Sequence, residues 1–111
     1  MDEARARSLL EAERERIGVL IDELSNTRQA ERNAAGQRGD VGDRAESLVE
    51  EGTDDAIALG LTRRLAAIER AEDRLVSGTF GRSIASGDPI PDERLEADPA
   101  AELTVEEARV L

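Results

Sequence analysis

Aliphatic residues recur at helical spacing along the first third of the chain, among many charged residues. The members of this seam are Leu10, Ile17, Leu20, Ile21 and Leu24. Leu10, Ile17 and Leu24 lie seven residues apart, a spacing that keeps one narrow face of a helix apolar. The pattern predicts a helix over about Asp2–Asn33 that packs against one partner helix.

The same spacing returns after a glycine-rich interval. Its apolar positions are Ala45, Leu48, Val49, Leu61, Leu65, Ile68, Ala71 and Leu75. They predict a second helix over about Asp43–Ser77, weakened in the middle by Gly52 and Gly60. Gly78 suits the left-handed conformation that ends many helices. Residues 35–42 contain three glycines and form the predicted loop, and so short a loop makes the helices antiparallel neighbours.

The remainder of the chain, residues 78–111, has a different pattern. It is interrupted by Pro89, Pro91 and Pro99, and it holds a small apolar set: Phe80, Ile84, Ile90, Leu95, Leu103, Val105, Val110 and Leu111. Thr104-Val105-Glu106-Glu107 is a capping-box pattern that predicts a short terminal helix. The predicted fold is therefore mainly α. It comprises an antiparallel two-helix coiled-coil hairpin over residues 1–77, with its tip at about 35–45, and a small irregular C-terminal domain ending in a short helix.

Composition narrows the classes of function. Hydrophobic residues make up 39% of the chain and charged residues 37%, with Phe80 as the one aromatic residue, so the core must be thin. A net charge of −11 disfavours a large nucleic-acid contact and favours a basic protein partner. The absence of Cys and His rules out disulfides, thiolate or imidazole metal sites, and His-dependent triads. Without an apolar run of membrane-spanning length or a signal-peptide core, we expect a cytoplasmic protein without membrane contact.

Two acids at the predicted tip are the leading candidates for function. Asp40 and Asp43 lie three residues apart, and the segment 40–55 carries seven acids against one base, Arg44. In isolation such a pair indicates helix capping, because Asp accepts hydrogen bonds from the first free N–H groups. Helix capping and partner binding can coexist, with one carboxylate capping the helix and the other facing a partner.

At this point the chain resembles the DksA/TraR family of bacterial regulators that bind RNA polymerase. The resemblance covers about Asp40 to Glu107 and is carried by short motifs in one order: Asp40-Val41-Gly42-Asp43-Arg44-Ala45, Gly78-Thr79-Phe80-Gly81, Gly87-Asp88-Pro89-Ile90, Glu93-Arg94-Leu95-Glu96-Ala97 and Pro99-Ala100-Ala101-Glu102-Leu103. The first is similar to the family's tip motif, Asp-x-x-Asp-x-Ala. The second is similar to the Gly-Thr-Tyr-Gly before the family's first pair of metal ligands.

The resemblance implies a function and its residues. In the family the coiled-coil arm enters the secondary channel of RNA polymerase, and the tip acids approach the active centre without catalysing a reaction. It therefore implies a non-enzymatic transcription regulator whose polymerase-binding tip contains Asp40, Asp43 and Ala45. Direct sequence-specific DNA binding is not expected. Activation and repression stay open, and no basic cluster commits the chain to cooperation with ppGpp.

The tail departs from the family at its zinc site. Where family members typically carry four cysteines, this chain has Ser83, Ser86, Thr104 and Glu107. Neutral hydroxyls are poor zinc ligands beside thiolates, so we expect a degenerate finger with no metal and no cofactor. Ser83 and Ser86 are interpreted as remnants in a turn, and Thr104 with Glu107 as the cap of the last helix.

Two alternatives from other classes stay open. One is a transcript-cleavage factor whose tip carboxylates hold Mg²⁺, since carboxylate oxygens are its preferred ligands. The other is a coiled-coil adaptor or dimerisation protein that has lost polymerase binding.

Overall fold

A computed structural model describes residues 1–29 and 56–110 of this protein. Four helices lie in these ranges: α1 (Glu3–Gln29), α2 (Ala56–Ser77), α3 (Asp92–Ala97) and α4 (Val105–Val110). The described residues contain no strand, only an isolated antiparallel bridge between Arg82 and Pro89. The predicted fold class is confirmed: the protein is mainly helical, two long helices pack against each other, and a short helix follows near the C-terminus.

The start of α1 follows from its capping residue. The side chain of Asp2 accepts a hydrogen bond from the Arg5 N–H (2.7 Å), and the Asp2 carbonyl accepts one from Ala6. Asp2 is therefore the N-cap, and satisfies a donor that the first helical turn would leave free. The end of the first predicted helix, the 35–42 loop and the beginning of the second predicted helix lie outside the described residues.

The buried positions of the two long helices largely match the predicted seam. Those of α1 are Ala6, Leu10, Ile17 and Ile21, and those of α2 are Ala58, Leu65, Ile68 and Ala71. Leu20 was expected to share its position with Ile21, but its side chain is exposed. Adjacent helical residues point about 100° apart, so a one-sided seam buries only one of them. Leu24, Leu61 and Leu75 are half-buried at the margins.

The described residues divide into two compact units. The first comprises Met1–Glu13 and Ala67–Leu111, and the second Arg14–Ala66. In the first unit the beginning of α1 lies beside the end of α2, where Arg7 and Leu10 line one surface cavity with Leu75. In the second unit Leu20 and Leu24 line a groove of about 300 Å³ with Ile57 and Leu61.

A glycine ends α2 as the sequence predicts. Gly78 has a φ of 84°, its N–H donates to the Leu75 carbonyl (3.4 Å), and the Thr79 N–H donates to the Arg74 carbonyl (2.8 Å). This pair of backbone hydrogen bonds is the Schellman arrangement, which requires a left-handed residue after the helix. The predicted cap at Gly78 is confirmed, and the chain turns there into the tail.

A small apolar cluster organises the tail. Ile90, Leu95 and Ala101 are buried together, and Phe80 packs against them. Leu95 comes from α3, whose first turn is closed by hydrogen bonds from Arg94 and Leu95 to the Pro91 carbonyl. Ile84 belongs to the apolar set that the sequence shows in the tail, but it is not part of this cluster, because the residue is 60% exposed.

Two sets of arginine–glutamate contacts hold the tail to the long helices within the first unit. Arg5 of α1 makes a bidentate contact with Glu96 of α3 (3.0 and 2.7 Å). Glu102 receives Arg70 through two hydrogen bonds (2.9 and 3.2 Å) and Arg74 through a third (3.1 Å), both from α2. Planar guanidinium–carboxylate pairs of this kind fix orientation as well as distance.

No described helix combines the length and the apolar character that crossing a membrane would require.

Replacing Gly60 with alanine should stabilise the protein. Gly60 lies inside α2, and a Cβ atom added there would meet no atom within 4 Å. Alanine is favoured over glycine in a helix by about 0.8–1.0 kcal/mol, and we expect that gain for Gly60→Ala in urea unfolding. Gly78→Ala is the control: it also finds open space, but its positive φ strains any side chain, so it should destabilise. A destabilised Gly60→Ala would contradict the assignment of that position to a helix.

Removing the Glu102 carboxylate should cost more stability than removing that of Glu96. The Arg74 side chain is only 14% exposed, and its Nε atom is buried without a hydrogen-bond partner among the described residues. Glu102→Gln therefore leaves a largely buried cation poorly satisfied, and we expect a loss of about 1–3 kcal/mol. Glu96→Gln affects the exposed Arg5, so its loss should be smaller and should shrink in high salt. Equal losses in urea unfolding would contradict this order.

Candidate functional site

The turn over residues 81–90 places the first two candidate positions. Its ends are joined by hydrogen bonds from the Ile90 N–H to the Gly81 carbonyl and from the Ser83 N–H to the Asp88 carbonyl, both 2.8 Å. Gly87 has a φ of 79°, and its N–H donates to the Ser83 carbonyl (2.9 Å). Glycine adopts this left-handed conformation at little cost, which lets the chain reverse between the two ends.

Both serine hydroxyls accept backbone hydrogen bonds inside this turn. Ser83 Oγ accepts from the N–H groups of Ala85 (3.0 Å) and Ser86 (3.2 Å). Ser86 Oγ accepts from the N–H of Asp88 (3.2 Å). Ser and Thr side chains commonly close turns by bonding to backbone N–H groups a few residues on. The two serines therefore structure the turn and are more than the remnants the sequence suggested.

The other two positions form the predicted capping box of α4. The Thr104 N–H donates to Glu107 Oε1 (2.9 Å), and the Glu107 N–H donates to Thr104 Oγ1 (3.2 Å). This reciprocal pair satisfies two N–H groups at the helix start. The prediction that Thr104 and Glu107 cap the last helix is confirmed.

The two halves lie close to each other at the Glu107 carboxylate. It accepts a hydrogen bond from the Thr104 N–H, and the hydroxyls of Ser83 and Ser86 lie near enough to lower its pKa. We call Ser83, Ser86, Thr104 and Glu107 the hydroxyl–carboxylate cluster. In this order of importance, Ser83, Ser86 and the Thr104 N–H lower the pKa of Glu107 from its ordinary value of 4.5 to about 2. Donors that stabilise the ionised form of a carboxyl act in this direction.

Local hydrogen bonds occupy much of the capacity of the cluster. A serine hydroxyl offers two acceptor sites, and Ser83 Oγ uses them on the N–H groups of Ala85 and Ser86, while Glu107 accepts from the Thr104 N–H. Ser83 is 5% exposed and Thr104 9%, so water cannot replace these partners cheaply.

The residues of the cluster do not fit a zinc ion. They supply three neutral hydroxyls and one carboxylate, whereas structural zinc sites use thiolate and imidazole ligands. The carboxylate already accepts a hydrogen bond from the Thr104 N–H. Across residues 1–29 and 56–110, no group of three or more Cys, His, Asp or Glu side chains is placed to hold a metal ion.

The tip candidates Asp40, Asp43 and Ala45 lie outside the described residues. In the structure Ser83 and Ser86 lie near Thr104 and Glu107. The sequence spacing alone indicates only two separate pairs, one of serines and one of capping residues. Sequence reasoning missed Arg70 and Arg74 as partners of Glu102, whose carbonyl also accepts the Ile84 N–H (2.9 Å). The sequence contains a signal that could have identified Arg70 and Arg74 as joint partners of one acid: they are four residues apart and therefore lie on the same face of α2.

No protein-family model, curated protein or solved structure matches the chain. The described residues form two long helices that pack against each other and a helical, hydrogen-bonded tail. A family assignment therefore depends on the motifs and on the arrangement of the cluster.

The cluster should make the protein's stability depend on acid. Because the pKa of Glu107 is lower in the folded than in the unfolded chain, its contribution is complete above pH 4.5 and is lost as the pH falls toward 2. The pKa values of Glu96 and Glu102 are lowered too, chiefly by the side-chain hydrogen bonds from Arg5 and Arg70 respectively, and act in the same direction. We expect the gap in unfolding free energy between wild type and Glu107→Gln to narrow between pH 4.5 and 2.

The matched control is Glu106→Gln, which removes the same charge from the preceding, exposed residue in the first turn of α4. The difference in unfolding free energy between wild type and Glu106→Gln should change much less between pH 4.5 and 2. Equal pH dependence of the two gaps, measured by urea unfolding at a series of pH values, would show that the hydroxyl contacts do not perturb Glu107.

Proposed function

We propose that this protein is a transcription regulator that binds RNA polymerase by inserting the acidic tip of its helical hairpin into the secondary channel. Asp40 and Asp43 would face the cationic interior of the channel, with Ala45 beside them. The tail would dock outside it. The regulator would act by binding some states of the polymerase better than others, which shifts the equilibrium among promoter complexes.

The observation that carries the proposal is the meeting of four residues in the tail. Ser83 and Ser86 lie in one turn, Thr104 and Glu107 lie at the start of α4, and the motifs align all four with a family's metal ligands. None of them is a thiolate, and the Ser83 and Ser86 hydroxyls lie near enough to the Glu107 carboxylate to lower its pKa. The motifs pair these positions from sequence order alone, so their proximity supports the resemblance on which the proposed function rests.

The packing of α1 against α2 gives a second line of support. The described part of α1 ends at Gln29 and that of α2 begins at Ala56. The groove lined by Leu24 and Ile57 brings those ends of the two helices near each other. In sequence, the acidic segment 40–55 falls between these ends, where a hairpin would have its tip.

The chemistry of the chain favours binding over catalysis. It has no His or Cys, and the carboxylate near the buried Ser83 hydroxyl, that of Glu107, has a pKa lowered to about 2 and carries no proton at neutral pH. Such a carboxylate of very low pKa is a poor general base for a serine nucleophile. Carboxylates at a tip instead favour association with a basic cavity, because opposite charges steer the encounter and pair within it.

The direct test measures binding to purified bacterial RNA polymerase and the effect on initiation in the same samples. We expect Asp40→Asn/Asp43→Asn to bind within a few-fold of wild type, because the rest of the hairpin and the tail supply most of the contact. Its effect on transcription should fall at least ten-fold. The matched control is Glu11→Gln/Glu15→Gln, which removes the same charge from exposed positions of α1 and should act like wild type.

The alternatives give different results in the same assays. Failure of the wild type to bind polymerase, together with self-association in sedimentation, would contradict the proposal and favour an adaptor. Stimulated cleavage by backtracked polymerase, dependent on Asp40 and Asp43, would favour the cleavage factor. An unchanged effect of the double variant on initiation would remove the tip from the proposal.

A further inference from the structure

Two consecutive residues just before α4 receive arginine side chains from two other helices. The Glu102 carboxylate accepts three hydrogen bonds from Arg70 and Arg74 of α2, at distances from 2.9 to 3.2 Å. The Leu103 carbonyl accepts one from the Arg94 Nε–H of α3 (2.8 Å). We call Glu102-Leu103 the latch, because this pair of residues is held from α2 and from α3 at once.

The latch is also connected to the 81–90 turn and to α4. The Glu102 carbonyl accepts the Ile84 N–H of the turn (2.9 Å). The residue that follows the latch, Thr104, caps α4 through the hydrogen bond from the Glu107 N–H to its hydroxyl (3.2 Å). The positions of the turn and of α4 therefore both depend on the same two residues.

We propose that the latch is a conformational coupling device: arginines of α2 and α3 hold it in place, and the 81–90 turn and α4 open together when that hold is broken. The inference depends only on contacts within the first compact unit, Met1–Glu13 with Ala67–Leu111. It stands or falls separately from the polymerase proposal.

Apolar packing anchors neither the turn nor α4 strongly. Ser83 is the one buried residue in the range 82–89, and it is polar. No residue of α4 is buried. Ile84 of the turn is 60% exposed and Val110 of α4 is 85% exposed. Because the hydrophobic gain scales with the apolar area removed from water, polar contacts must supply much of what fixes these two elements.

The contact between α2 and the latch is largely removed from water. The side chains of Arg74 and Glu102 are 14% and 22% exposed, whereas those of the Arg5–Glu96 pair are 52% and 43% exposed. Exposed ion pairs contribute little to stability, because water screens them and their long side chains lose freedom. Removing one partner of a largely buried pair instead leaves the other charge poorly satisfied. Loss of the Arg74 guanidinium should therefore free the latch.

A simpler interpretation is that each element is held by its own local hydrogen bonds. The Ser83 hydroxyl closes the turn, and the capping box closes the start of α4. In that case a change at Arg74 would not affect the Ala108 N–H, which donates to the Thr104 carbonyl in the first turn of α4 (3.0 Å). Exchange of the Ala108 N–H thus separates the two interpretations.

The test is native-state hydrogen exchange on the full chain at pH 7. The variant is Arg74→Gln, and the matched control is Arg63→Gln, which removes the same charge from an exposed position of α2. We expect the N–H groups of Ile84 and Ala108 to exchange several-fold faster in Arg74→Gln than in the control, by similar factors. The N–H of Ile68 should change less, because it lies within α2 and reports opening of that helix.

A second variant acts on the latch from α3. Arg94→Gln removes the donor to the Leu103 carbonyl and leaves the contacts with α2 in place. It should accelerate the same two N–H groups, those of Ile84 and Ala108, relative to Arg63→Gln. This variant provides the measurement if Arg74→Gln does not fold.

Three results would overturn the coupling. Faster exchange at Ile84 alone would show that α4 is held independently by its capping box. Equal acceleration at Ile68, Ile84 and Ala108 would indicate general destabilisation of the protein. Rates equal to those of Arg63→Gln at all three positions would show that the arginines do not hold the latch.

Discussion

The backbone hydrogen bond from the Ile84 N–H to the Glu102 carbonyl joins the 81–90 turn to the segment before α4. On either side of it, Ser83 closes the turn, and Thr104 with Glu107 closes the start of α4. A buried polar group left without a partner costs about 1–3 kcal/mol, so the buried Ser83 and Thr104 are tolerable because each has a local partner.

The segment between the turn and α4 also contacts the long helix α2. Glu102 accepts the Ile84 N–H through its backbone and the guanidinium groups of Arg70 and Arg74 through its side chain. On the other side of the tail, Glu96 of α3 holds Arg5 of α1. Polar contacts of this kind complement an apolar cluster that consists of little more than Ile90, Leu95, Ala101 and Phe80. A tail of this size without a disulfide needs both.

Sequence reasoning recovers the features that are coded locally. The helical spacing of aliphatic residues gives both long helices, Gly78 gives the end of α2, and Thr104 with Glu107 gives the start of α4. Each depends on residues within a turn or two of one another, where spacing alone fixes the geometry. Whether Leu20 or Ile21 is buried depends instead on contacts with the facing helix. The spacing of apolar residues along the sequence does not specify those contacts.

The features that sequence reasoning misses are those made between distant residues. Arg5 and Glu96 are 91 positions apart, and Arg70 and Glu102 are 32 apart. Many other acids compete as partners at such separations in a chain with 26 of them. The exposure of Ile84 has a similar origin: the turn directs Ser83 inward, and its neighbour outward. The hypothesis that Asp40 and Asp43 bind a partner comes from the sequence alone, because both residues lie outside the described ranges.

The absence of sulfur from the hydroxyl–carboxylate cluster also has a chemical consequence. A zinc finger built on thiolates is vulnerable to peroxide, because oxidised cysteine releases its metal and the fold with it. Here the contacting atoms are hydroxyl and carboxylate oxygens and amide nitrogens, none of which such oxidants attack under mild conditions. The tail of this protein should therefore keep its shape under oxidative stress that would dismantle a thiolate-based counterpart.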